Sequence, residues 1–118
     1  MVAIDFAGSP PTLGVEWEFA LVDKRSRDLS NSAGTLFDKV REQHGEDDPK
    51  LPKELLRNTV EVVTGVCASV DEAIADLVAT LDVVRPVAEE LGVDLYSAGT
   101  HPFAAWSTQQ LTPGLNSP

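Results

Sequence analysis

The segment at residues 69–92 carries helix signals at both ends and a continuous apolar stripe between them. Ser69 and Glu72 form a capping box, in which each side chain accepts a hydrogen bond from a backbone N–H at the helix start. Gly92 suits the left-handed conformation in which many helices end. Three- and four-residue steps predict a buried face made of Ile74, Leu77, Val78, Leu81, Val84, Ala88 and Leu91. Pro86 lies inside this helix and predicts a kink or a break there, because it removes a hydrogen bond.

Strand-like segments lie on both sides of this helix. In residues 13–22 the odd positions are apolar, whereas Glu16 and Glu18 fall on the opposite face. Residues 55–66 are rich in Val and Thr, and residues 93–98 give a third strand. The polar run at 23–28 predicts a turn into a short further strand, and residues 33–42 predict a short helix.

These elements predict one α+β domain with a mainly antiparallel sheet of three to four strands. The long helix and the short helix should cover one face of the sheet. We expect an arm at residues 1–11, a domain at 12–111 and a loose tail at 112–118. The expected core includes Trp17, Phe19, Val62, Leu77, Leu81 and Leu95.

Charge excludes some classes of partner. The chain has 118 residues and a formal net charge of −10, and Arg85 is the only basic residue after residue 60. So acidic a surface repels phosphate backbones and anionic lipid, which argues against nucleic-acid and membrane roles. Cys67 is the single cysteine and reads as a buried apolar side chain. Without a secretory signal or a spanning segment, we expect a cytoplasmic protein.

Acidic residues on the predicted strands are the first candidates for a site. Glu16 and Glu18 would stand roughly 6.5–7 Å apart on one strand face. Glu61 sits within a Val/Thr strand, where a carboxylate is costly to cover, and Glu54 precedes that strand. Such oxygens suit Mg²⁺, but a solvated strand face or a charged edge strand would give the same pattern.

Thr100 and His101 form a second candidate, at the end of the third predicted strand. A hydroxyl and an imidazole after Gly99 could contact a ligand, although a lone histidine before a proline can equally be structural. No second His or Cys stands at metal-ligand spacing, so the sequence does not predict a zinc site.

Three segments together resemble the glutamate–cysteine ligase family, type 2, which includes bacterial carboxylate–amine ligases related to glutamine synthetase. Residues 12–23 (TLGVEWEFALVD) resemble its opening strand. Residues 54–67 (ELLRNTVEVVTGVC) resemble its second metal-bearing strand, and residues 98–106 (AGTHPFAAW) the strand end after its first long helix. The three segments occur in the family's order.

The resemblance implies ATP-dependent ligation. A substrate carboxylate, such as the γ-carboxyl of glutamate, is phosphorylated by ATP, and the amine of a second substrate such as cysteine attacks the acyl phosphate. By this resemblance Glu16, Glu18 and Glu61 are Mg²⁺ ligands and Glu54 is a weaker fourth. Thr100 and His101 would line the amino-acid end of the pocket.

Family members are considerably longer than this chain. We therefore expect an amino-terminal part of the ligase that is inactive alone, with ATP, Mg²⁺ and amino acids as the ligands of the whole. The alternative is a non-catalytic α+β interaction module that self-associates into a homo-oligomer, because half a sheet leaves edges and apolar surface open.

Overall fold

Three antiparallel strands and two helices make up the fold in the computed structural model, which describes residues 10–54, 56–97 and 104–113. The elements are β1 (Glu16–Asp23), α1 (Ala33–His44), β2 (Thr59–Val63), α2 (Val70–Leu91), β3 (Val93–Tyr96) and a short 3-10 helix (Trp106–Thr108). The strand order is β2-β1-β3, and both pairings are antiparallel. The predicted α+β class is confirmed.

Both caps of α2 follow the sequence signals. The Glu72 N–H donates to Ser69 Oγ at 3.2 Å, and the Glu72 carboxylate accepts from the Ala68 N–H at 2.7 Å. Gly92 ends the helix with φ 70°. α2 is continuous across Pro86, so of the two predicted alternatives, a kink or a break, the break is excluded. Pro86 is exposed, which lets water satisfy the carbonyl that loses its partner.

The buried face of α2 is rotated from the predicted stripe. Ile74 is 53% exposed and Val78 is 49% exposed, so the assignment of these two residues to the buried face is wrong. The observed buried residues are Ala73, Leu77, Thr80, Leu81, Val84, Val87 and Ala88. Apolar residues occur on both sides of Leu77 and Leu81, so periodicity alone allows either rotation.

One apolar core lies between the sheet and the two helices. Phe19 and Leu21 of β1, and Val60 and Val62 of β2, face buried residues of α1 and α2. Four of the six predicted core residues are buried, namely Phe19, Val62, Leu77 and Leu81, and Leu95 packs against the core while partly exposed.

Trp17 is the core prediction that was wrong. It has the alternation of a buried strand residue but is 40% exposed. Its ring packs against Phe19 with centroids 4.6 Å apart, and its indole Nε1 donates to Ser97 Oγ at 2.9 Å. The side chain thus has an apolar face and a satisfied polar end at the border of the core.

β1 starts three residues later than the sequence predicts, and β2 is shorter than predicted at both ends. Beyond β1 and β2, Leu13 forms an isolated antiparallel bridge with Cys67, which is buried as expected. The Val15 N–H donates to Thr64 Oγ1 at 3.0 Å instead of to a strand carbonyl. At the other end of β2, residues 57–58 form a turn, so the strand starts at Thr59.

The predicted short strand after residues 23–28 is absent from the described part of the chain. A single bridge between Val22 and Leu29 stands in its place. Asp23 Oδ1 accepts from the backbone N–H groups of Arg25 and Ser26, both at 2.8 Å, and this aspartate-centred turn lowers the Asp23 pKa. Side-chain acceptors of this kind compete with ladder pairing.

The remaining predictions on the chain's course concern its ends. Residues 1–9 of the arm, residues 98–103 and residues 114–118 of the tail lie outside the described residues. Thr112, the first residue of the predicted tail, donates its hydroxyl to the Glu54 carbonyl oxygen at 2.5 Å. In the parts of the chain that the structure describes, no helix is long and apolar enough to cross a membrane.

Candidate functional site

Three of the predicted site residues lie on one face of the sheet. Glu18 is the direct cross-strand partner of Glu61 in the β1–β2 ladder, and Glu16 is two residues along from Glu18. Directly opposed residues in an antiparallel pair share a face, with Cβ atoms about 4.5–5.5 Å apart. The helices pack on the other face, which carries Phe19 and Val60. We call Glu16, Glu18, Glu54 and Glu61 the carboxylate group.

Glu61 lies at the centre of this group. Its side chain is within hydrogen-bonding reach of Glu54 on one side and of Glu16 on the other. Two carboxyl groups can share a hydrogen bond only when one of them carries a proton. The contact with Glu54 therefore raises the pKa of Glu61 above its usual 4.5; burial and the charge of Glu54 act in the same direction, and the hydrogen bond with Glu16 opposes them.

Glu54 reaches this face by a different route from the other three. It is not on β2, which starts five residues later, and a turn at residues 57–58 lies between. This turn brings Glu54 towards Glu61, although a continuous strand would place residues seven apart on opposite faces. This turn was not predicted from the sequence.

The chemistry of these donors fits a hard divalent cation. All are carboxylate oxygens, the donor type that Mg²⁺ prefers. The carboxylate oxygens do not yet surround a single point: no three His, Cys, Asp or Glu side chains within residues 10–54, 56–97 and 104–113 are arranged to hold one ion. The contacts found are Glu61 with Glu54 and Glu61 with Glu16, so rotation of Glu18 would be needed to complete a four-residue set.

A salt bridge that the sequence did not reveal fixes the far end of β2. Lys50 Nζ donates to Asp76 Oδ1, and the Gly65 N–H donates to Asp76 Oδ2 at 2.8 Å. Each partner favours the charged form of the other, which raises the pKa of Lys50 and lowers that of Asp76. The Val63 N–H also donates to the Lys50 carbonyl at 2.9 Å. The loop before β2 is thus tied to both β2 and α2.

Thr100 and His101, the other predicted site residues, lie outside the described residues. Their role at an amino-acid pocket stays a prediction. Ser97 is the last described residue before them, and its hydroxyl oxygen accepts a hydrogen bond from the Trp17 indole.

The profile of Glutamate-cysteine ligase family 2 (GCS2) matches residues 12–116. The chain belongs to this family. A relative from Nocardioides sp., provisionally named glutamate–cysteine ligase 2-3, is 62% identical over 112 residues, which are 94% of this chain and 30% of the relative. A Mycobacterium sp. relative is 62% identical over 92% of this chain and 28% of its own length. A Rhodococcus jostii relative is 59% identical over 94% of this chain and 30% of its own length.

This chain spans about 30% of the length of these curated relatives. Their names assign glutamate–cysteine ligase activity to the whole proteins. The matched residues 12–116 include all four members of the carboxylate group.

Proposed function

We propose that this chain supplies the carboxylate side of a divalent-cation site in a glutamate–cysteine ligase-like enzyme that joins a carboxylate to an amine at the expense of ATP. The observation that carries the proposal is the opposition of Glu18 and Glu61 on the open face of the sheet, with Glu16 and Glu54 beside them. Four anions this close are tolerated only with cations, protons or hydrogen-bond donors nearby. A bound divalent cation would neutralise phosphate charge during phosphoryl transfer.

The roles of the chain's own residues follow from their positions. Glu61 would bind the cation together with Glu16 and Glu54, because its carboxyl group already contacts both. Glu61, whose pKa is raised by the contact with Glu54, would lose its proton on binding the cation, since a carboxylate must be ionised to bind a metal. Glu18, which is exposed, would complete the set by rotation. Thr100 and His101 would contact the amino-acid substrate.

The reaction itself needs more than this chain. Phosphoryl transfer requires positive groups that hold the triphosphate, and one basic residue, Arg85, follows residue 60. Arg85 is on α2, on the side of the sheet away from the carboxylate group. We therefore propose that ligation of glutamate to cysteine requires the remaining two thirds of a family member, and that the isolated chain has no turnover.

A chimera tests this proposal. This chain replaces the matched 112 residues of the Nocardioides relative, and ADP release is measured with glutamate, cysteine, ATP and Mg²⁺. The chimera should turn over, Glu61→Gln in the chimera should abolish turnover, and Glu42→Gln, an exposed glutamate on α1, should not change it. Full activity of the Glu61→Gln chimera would overturn the proposed role of Glu61 in cation binding. ADP release from the isolated chain would overturn the proposal that it has no turnover.

A second candidate function is self-association, favoured by one observation. Val70, Ile74 and Val78 form an exposed apolar stripe at four-residue spacing along the first half of α2, and Val66, before the helix, is also exposed. A second copy of the chain could cover it by helix–helix packing. Sedimentation equilibrium distinguishes the two: a homo-oligomer that Ile74→Asp dissociates supports this function, and a monomer at high concentration excludes it.

A further inference from the structure

Residues 110–112 lie against the segment that carries Glu54. Leu111 forms an antiparallel bridge with Leu56, and the Arg57 N–H donates to the Gln110 carbonyl at 2.8 Å. The Arg57 guanidinium also donates to Gln110 Oε1 at 3.1 Å. We call residues 110–112 the strap.

The strap also reaches Glu54 itself. Thr112 Oγ1 donates to the Glu54 carbonyl oxygen at 2.5 Å. Glu54 lies outside β2, so the ladder that orients Glu61 does not orient Glu54. The described hydrogen bonds to this segment come from the strap, from the Ala33 N–H, which donates to the Arg57 carbonyl at 2.9 Å, and from Thr59, whose N–H and hydroxyl donate to the Leu56 carbonyl at 3.4 and 3.2 Å.

When both carboxyl groups are ionised, Glu54 and Glu61 repel each other. Like charges that face each other destabilise a sheet, and neither Glu54 nor Glu61 is fully buried, so their side chains can rotate apart. The Glu54 backbone must therefore be held in place for its carboxyl group to remain beside Glu61. Thr112 is the side chain in the described chain that bonds to the Glu54 backbone.

We infer that the strap, through Thr112, is a positioning element that sets the separation between the Glu54 and Glu61 carboxyl groups. The carboxylate group is then assembled from three pieces far apart in sequence: β1, β2 with its preceding turn, and the strap. The functional consequence rests on the proposed function: the strap determines whether Glu54 can join Glu16 and Glu61 as a cation ligand.

A double-mutant cycle on the 118-residue chain tests the inference without metal. Glu61→Gln removes repulsion and should raise the urea unfolding midpoint at neutral pH. In the Thr112→Val background this gain should shrink by about half or more, because Glu54 is no longer held against residue 61 and only Glu18, the cross-strand partner, still repels it. Thr112→Ser keeps the hydroxyl and should restore the full gain.

The matched control is Thr108→Val. Thr108 Oγ1 donates to the Ala105 carbonyl at 2.8 Å, within the same stretch of chain but away from Glu54. The gain from Glu61→Gln should be complete in this background. If the gain is equally complete in the Thr112→Val background, the threonine has only a structural role and the inference is overturned. Thr112→Ala provides the same cycle if the valine variant does not fold.

A second measurement separates this inference from the proposed function. Mn²⁺ should raise the unfolding midpoint of the wild-type chain, and this shift should fall in Thr112→Val and return in Thr112→Ser. If the wild-type chain does not respond to Mn²⁺, the cation site proposed above fails, and the metal-free cycle still decides the role of the strap. If Mn²⁺ stabilises Thr112→Val as much as wild type, the strap does not position a cation ligand.

Discussion

Truncation of two neighbouring residues on α2 should have opposite consequences. Leu77 is 8% exposed and packs in the core, whereas Ile74, three residues earlier, is 53% exposed. Leu77→Ala removes buried carbon atoms and leaves a cavity, so it should cost about 2–5 kcal/mol of unfolding free energy. Ile74→Ala removes a side chain that is half in water, and alanine is the better helix former, so the change should stay within about 0.5 kcal/mol.

Urea unfolding followed by far-UV circular dichroism measures both changes. With a slope of about 1–3 kcal/mol per molar urea, Leu77→Ala should lower the midpoint by about 0.7 M or more, and Ile74→Ala should barely move it. The titrations are repeated at tenfold lower protein concentration, so that a second copy on the exposed stripe would be detected. Equal losses for the two variants at both concentrations would refute the assignment of the buried face.

Three further predictions concern charge and capping. Glu61→Gln should stabilise the metal-free chain by about 0.2–1 kcal/mol at pH 7. Because the contact with Glu54 raises the Glu61 pKa, this gain should grow as pH rises from 4.5 through the raised pKa, and it should vanish as pH falls below 4.5 and wild-type Glu61 becomes protonated in both the folded and the unfolded state. Urea midpoints from pH 4 to 8 measure it. Asp76→Asn should lower the midpoint at pH 7, and the difference should disappear as pH falls below 3.8 through the lowered Asp76 pKa, because protonation breaks the bridge to Lys50 in the wild type as well. Ser69→Ala should cost about 1 kcal/mol by loss of the helix cap, and a Ser69→Asp variant should retain most of the stability.

Local signals in the sequence were sufficient for most of the fold. The capping box at Ser69, the glycine at residue 92 and the alternation around Phe19 each depend on near neighbours, and the structure has them as predicted. Which face of α2 is buried depends instead on where the sheet lies relative to the helix. Ile74 and Leu77 are equally apolar, and only tertiary packing decides between them.

In the candidate site, too, local sequence signals predict one part and tertiary contacts decide the other. Strand alternation placed Glu16 and Glu18 on one face, and the β1–β2 register then brings Glu61 opposite Glu18. The position of Glu54 could not be derived in this way, because Glu54 lies before a turn and its backbone carbonyl bonds to Thr112, which is 58 residues away. Contacts of such separation leave no periodic pattern in the sequence.

The central claim is that the carboxylate group can hold a divalent cation, and Mn²⁺ binding to the pure chain tests it most directly. Electron paramagnetic resonance would count bound Mn²⁺, with Mg²⁺ as competitor, for wild type, Glu16→Gln, Glu61→Gln and the control Glu42→Gln. The account predicts one ion displaced by Mg²⁺, a higher unfolding midpoint in its presence through mass action, and loss of both in the first two variants but not in the control. Absence of binding by the folded wild-type chain, or equal binding by Glu61→Gln, would contradict it.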